Sequence, residues 1–131
     1  MRFEKKMKFT VTQDDIDRAK RDLENHQPRV LSCPVAQCVN RTIRENGWNG
    51  YLEVVVDEQD IIINVGTQNR IYKRYGVRLA RFINVFDAEY SASRLQAAKN
   101  GVPIQFHPLK SLPTFSIPDK RLGLKSKGTP T

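Results

Sequence analysis

The fifteen residues Tyr51–Val65, YLEVVVDEQDIIINV, decide the fold class. Two runs rich in Val and Ile flank the acidic segment Asp57-Glu-Gln-Asp60. Branched side chains lose rotamer freedom in a helix and pack well on a pleated surface, so both runs read as strands. Each run has the length of an ordinary strand, and the short acidic link closes a hairpin. The expectation is an antiparallel pair over residues 51–57 and 61–66 with a solvated tip.

Working outward, Phe9-Thr-Val-Thr12 alternates and predicts a first strand over 8–12. Thr12 is placed to cap a helix, and Asp14 and Asp15 fall in its first turn, where acids favour the helix dipole. Ile16, Ala19 and Leu23 follow at helical spacing, predicting a helix over 13–25 that ends before Pro28. Ser32-Cys-Pro-Val-Ala-Gln-Cys38 opens a second helix, 34–46. Pro34 suits its first position, where a missing N–H costs nothing, and Gly47 suits its stop. Val35, Cys38, Val39, Thr42 and Ile43 share one face. A third helix is predicted over 77–89, with Leu79, Phe82, Ile83 and Phe86 on one face and Arg78 and Arg81 on another. Ser93 to Lys99 reads as a separate helical turn or two before Asn100-Gly101, and 102–107 as a last strand that Pro103 assigns to an edge or a late start. The fold class is therefore α+β. A two-layer domain over 1–107 has a four-stranded, mainly antiparallel sheet packed on three helices.

Beyond residue 107 the chain changes character. Pro103, Pro108, Pro113 and Pro118 recur every five residues and favour extended backbone. Leu109, Leu112, Phe115, Ile117, Leu122 and Leu124 are too apolar for a solvated tail. Residues 108–131 read as an arm and basic tail that lie on their own domain, on a partner or on a second copy. In a partner complex Phe115, Ile117, Lys120 and Arg121 are the candidate contacts. Trp48, on the turn before the hairpin, is a further apolar anchor or a rim residue closing the sheet.

A chain of 131 residues is long enough for one core without metals or disulfides. It has no apolar run near the ~20 residues a membrane span needs, and the start MRFEKKMKF lacks the apolar segment of a secretory signal. The expectation is a soluble protein of a cytoplasm with no membrane partner. Its net charge of +8 is uneven. Residues 1–65 carry ten Lys/Arg against eleven Asp/Glu, net −1; residues 66–131 carry twelve against three, net +9. Such asymmetry points to an anionic partner.

Catalytic chemistry finds little support in the residues. Cys33 and Cys38 are five apart, not the Cys-x-x-Cys of redox or zinc sites, and the helical period sets them roughly 140° apart. Cys33 at a helix start is a candidate low-pKa thiol, but its only candidate bases are His26 and His107. Asp14, Asp15 and Asp17 are explained by a helix start, and Asp57, Glu58 and Asp60 by a hairpin tip. No phosphate loop, dinucleotide fingerprint, zinc-protease helix or nucleophile elbow is present in the sequence. The expectation is no enzyme, no cofactor and no metal.

The stretch Arg70–Arg81, RIYKRYGVRLAR, holds five positive charges and no acid. Arg70, Lys73, Arg74, Arg78 and Arg81 suit contact with phosphates, and Tyr72 and Tyr75 suit stacking on unpaired bases. No helix-turn-helix, zinc-finger or RNP1-like pattern accompanies them, so backbone contact with little sequence reading is expected. The leading expectation is a binder of nucleic acid or of a nucleic-acid-containing complex; the alternative is an inhibitor or adaptor docking on another protein through the arm.

Three segments also resemble a loose group of small bacteriophage- and prophage-encoded proteins of uncharacterised activity. They are Phe9-Thr-Val-Thr12 with Asp15-Ile16-Asp17, Cys33-Pro-Val-Ala36, and Phe82-Ile-Asn-Val-Phe-Asp87. The similarity covers roughly residues 8–107; the segment Tyr90 to Asn100 and the proline-rich arm depart from the pattern. The resemblance implies a viral accessory protein acting inside a bacterial host cell on host machinery, including defence or nucleic-acid-processing complexes, and transfers no functional residue.

Overall fold

The computed structural model describes residues 6–57, 60–65, 68–72, 76–101 and 112–118. Its elements run β1 (Lys6–Thr10), α1 (Gln13–Glu24), α2 (Arg29–Ser32), α3 (Pro34–Glu45), β2 (Leu52–Val56), β3 (Ile61–Val65), β4 (Gln68–Tyr72), α4 (Gly76–Asn100) and β5 (Thr114–Pro118). The class is α+β, with the hairpin, α1 and α3 where the side-chain patterns put them. The single four-stranded sheet is a correction. Among the described residues the strands form a three-stranded sheet, β2-β3-β4, and a separate two-stranded one, β1-β5.

Sheet composition follows from who takes each edge. In the hairpin Leu52, Val54 and Val56 pair with Val65, Ile63 and Ile61, and this face turns into the core. Glu53 and Asn64 pair on the opposite face, where the Asn64 amide donates to the Glu53 carboxylate at 2.9 Å. At the tip the Asp57 N–H donates to the Asp60 carbonyl at 3.0 Å, and the Asp60 N–H returns to the Asp57 side chain at 2.7 Å. β4 then adds antiparallel to β3, with Arg70 in register with Ile63 and Tyr72 with Ile61. The basic stretch therefore begins as a strand.

β1 takes its partner from the C-terminal segment. Met7 aligns with Ile117, Phe9 with Phe115 and Thr10 with Thr114. The Phe9 and Phe115 rings stack with centroids 5.1 Å apart. Thr114-Phe-Ser-Ile117 alternates polar and apolar, so one face of β5 seats in the core; Ile117 is 0% exposed. Of the three occupants the arm allows, residues 114–118 lie on their own domain. Of the candidate partner contacts, Ile117 is buried in the core and Phe115 is half-buried on Phe9. The predicted strand at 102–107, and Lys120 and Arg121, lie outside the described residues.

The first helix starts as Thr12 predicts. Its hydroxyl accepts from the Asp15 N–H at 3.3 Å while the Asp15 carboxylate accepts from the Thr12 N–H at 2.9 Å, a reciprocal capping box. The short α2 was not anticipated; Cys33, extended at φ −67° and ψ 158°, separates it from α3. Cys33 then caps α3, and Pro34 holds the first helical position. Helices α1 and α3 pack on each other through Ile16, Ala19 and Leu23 on one side and Val35, Val39 and Ile43 on the other within one core cluster. That cluster also takes Leu79, Phe82, Ile83, Phe86 and Tyr90 of α4.

α4 is a further correction. The predicted helix over 77–89 and the separate turn near 93–99 are one helix of 25 residues. No glycine or proline interrupts Val77–Asn100, and the alanines at 80, 88, 92, 97 and 98 favour helix over the local turns that Ser91 and Ser93 suggest. Gly76 (φ 74°) and Gly101 (φ 68°) bound it in left-handed backbone, which L side chains rarely adopt.

Candidate functional site

Most of the chemically suggestive groups among the described residues are structural. Cys33 is 2% exposed, and its sulfur accepts the Ala36 N–H at 3.4 Å. Burial pushes its thiol up to about 12, the nearby Asp87 adds to the rise, and the Ala36 and Val35 N–H groups oppose it. Cys38 is fully buried and likewise pushed up to about 12, mainly by burial and then by Asp15. A reactive thiol needs the opposite shift and access to solvent. His26 is exposed at the end of α1 in left-handed backbone, φ 64°, and His107 lies outside the described residues. Among the described residues no group of three or more His, Cys, Asp or Glu is arranged to hold a metal ion.

Trp48 closes the α3–β2 turn. Its indole N–H donates to the Tyr51 carbonyl at 3.1 Å, and a Cβ added at Gly50 would sit 2.8 Å from its ring. It is half-buried against the core, as a rim residue is.

The strongest polar assembly was not legible in the sequence. Asp15 is 0% exposed and receives Arg41 in a two-pronged contact, Nε to Oδ1 and Nη2 to Oδ2, both 3.0 Å. Arg41 Nη2 also donates to the Thr10 carbonyl at 2.9 Å, and Nη1 to Glu45 at 2.9 Å. Hydrogen bonding to Asp15 holds the guanidinium charge firmly, raising its pKa. One arginine thus ties β1, the start of α1 and α3 together. Its fork is fully engaged within the chain, so it is an architectural group and not a ligand site.

The basic stretch divides three ways. Arg70 and Tyr72 are placed on β4, aligned with the core-facing positions of β3. Lys73, Arg74 and Tyr75 lie outside the described residues. Arg78 and Arg81 are exposed on α4, one turn apart, as their spacing predicts. Arg78 and Arg81 are the pair of the stretch seen to share an exposed face among the described residues.

Because α4 runs on to residue 100, Arg78 and Arg81 join a longer line. Counting from Arg78 in alternating steps of three and four gives Arg81, Val85, Ala88, Ala92, Leu95 and Lys99, and all seven are exposed. At 3.6 residues per turn these positions form one stripe, about 32 Å long, roughly opposite the buried line Leu79, Ile83, Phe86 and Tyr90. Val85 is 42% exposed, Leu95 73%, and Val77, beside the stripe, 77%. Cations stand at the ends and apolar side chains at the centre, with no acid in line. Asp87 and Glu89 are half-buried on the flanks.

No family model, curated protein or solved structure matches this chain. The stripe on α4 is therefore weighed on its chemistry. The sequence carries its signal, but a helix stopped at Glu89 shows only its first half. No helix among the described residues is long and apolar enough to cross a membrane.

Proposed function

We propose that this protein is a non-enzymatic binding protein that recognises another protein through the exposed face of α4. The observation that supports the reading is the seven-position stripe itself, with four uncharged side chains at its centre and cations at both ends. A helix that already buries one face in the core has no structural need of a second ordered apolar line. Solvent-facing positions of a helix normally carry polar residues, and an ordered exposed strip of apolar ones marks a contact surface. The setting implied by the phage resemblance belongs to this proposal: a viral accessory protein acting on a component of a bacterial host.

A second reading keeps one observation in its favour. Arg78 and Arg81 are exposed on one face, as phosphate contacts require. Against it, Val85, Ala88, Ala92 and Leu95 interrupt the cationic line over about 15 Å of helix, where a nucleic-acid backbone offers charge without a break. Protein partners tolerate and use such a centre.

The test is capture from a nuclease-treated bacterial lysate, comparing the wild-type chain with Val85→Glu/Leu95→Glu. Both sites are exposed, so circular dichroism and the unfolding midpoint should stay unchanged. The expected result is a discrete protein retained by the wild type and lost from the variant. Equal capture by both chains, or material that disappears on nuclease treatment, contradicts the reading.

A further inference from the structure

The stripe on α4 also describes what would fit it. Its four central residues, Val85, Ala88, Ala92 and Leu95, repeat at the 3-4 spacing that helices use when they pack side by side at small crossing angles. Alanine at the two middle positions lets a neighbouring helix approach closely, while Val85 and Leu95 stand on either side as the larger contacts. The ends, Arg78 and Arg81 on one side and Lys99 on the other, leave three cations on the stripe with no acid between them.

Resting on the reading that α4 carries the binding face, we propose that the partner segment is an acidic amphipathic helix. It has an apolar line at 3-4 spacing in its middle, carboxylates at both ends, and lies along α4. The end charges select partner and register, and the apolar centre supplies the burial, a division of labour usual at helix–helix interfaces.

Two other occupants fit less well. A second copy laid antiparallel, with Ala88 opposite the other copy's Ala92, pairs Val85 with Leu95 but also sets Arg81 against Lys99 twice. Like charges at both ends, on a chain of net charge +8, oppose that pairing. An anionic lipid surface would attract the cations, but interfacial helices bury bulky Trp, Phe and Leu over a whole face. Here the large aromatics of α4, Phe82, Phe86 and Tyr90, are committed to the core.

Three synthetic helical peptides with the same apolar or polar frame test this by fluorescence anisotropy against the full chain. One has a Leu/Ala line at 3-4 spacing with glutamates at both ends. The second replaces those glutamates by lysines. The third keeps the glutamates but has serine in the central line. The expected order is acid-ended first, about tenfold tighter than lysine-ended, a margin that a few exposed ion pairs and relieved repulsions supply. The serine-centred peptide should bind at least as weakly as the lysine-ended one. The Arg78→Glu/Arg81→Glu chain should lose the preference for acid ends, and Leu95→Glu should weaken the acid-ended peptide. Equal binding of acid- and lysine-ended peptides, binding by neither, or indifference to Leu95→Glu overturns the proposal. If lysate capture still depends on Val85 and Leu95 while these peptides fail, the face stands and the acidic helix is wrong. If capture fails as well, both are wrong. Tighter binding by vesicles of anionic lipid than by any peptide also overturns it.

Discussion

Arg41→Met is expected to lower the unfolding free energy by about 3–5 kcal/mol, the cost of leaving a buried charge without its partner. Asp15 has no exposed surface, and among the described residues two of the three donors that reach its carboxylate belong to Arg41. Among the described residues, removing the guanidinium leaves the carboxylate with the Thr12 N–H alone. It also frees the Thr10 carbonyl, so the joint between β1 and the α1–α3 pair loses its tie. Arg41 itself is 20% exposed, so entering water should keep the loss near the lower end of that range. Urea unfolding followed by the fluorescence of Trp48, the only tryptophan, gives the number. Asp15→Asn combined with Arg41→Met should recover part of the loss, because the stranded charge is then gone. A change below about 1 kcal/mol in the single variant would show that the pair behaves as a surface ion pair instead.

The second large effect concerns β5. A chain ending at Ser111 is expected to lose cooperative unfolding. The cut removes the fully buried Ile117, uncovers Phe9 and strips β1 of its antiparallel partner. Ile117→Ala alone should cost about 2–5 kcal/mol through lost burial and the cavity left behind. Phe115→Ala should cost less than the full burial of an aromatic ring, since Phe115 is only half-buried. Thermal melts by circular dichroism separate the outcomes. A truncated chain melting as the full one does would mean that β5 is an accessory strand, and Phe115 and Ile117 would regain their standing as partner contacts.

How far the sequence could be read depended on whether a signal was local. The hairpin was legible because β-branched runs flank an acidic tip within fifteen residues. The helix starts were legible because Thr12 and Pro34 act within one turn of themselves. β4 was missed because Gln-Asn-Arg-Ile-Tyr is polar and becomes a strand by pairing with β3, a tertiary effect that propensity does not carry. β5 has its own clue in the alternation Thr-Phe-Ser-Ile, but Pro113 and Pro118 at its borders signal extended backbone without specifying a strand partner. Its partner lies more than a hundred residues away at the start of the chain. The Asp15–Arg41 contact spans 26 residues and exists only because α1 and α3 pack together. The α4 stripe was half legible: Arg78 and Arg81 shared a face on any helix, but Ala92, Leu95 and Lys99 joined them only once the helix continued through Ser91 and Ser93.

The central claim, that the exposed face of α4 meets a protein, is tested most directly by a photo-crosslinking amino acid placed at Ala92, at the middle of the stripe, in bacteria expressing the chain. The same residue at Arg18, exposed on α1, serves as the reference. A discrete protein adduct is expected from position 92 and none from position 18. An adduct from position 18 and none from 92, or an adduct at 92 that is nucleic acid, would contradict it.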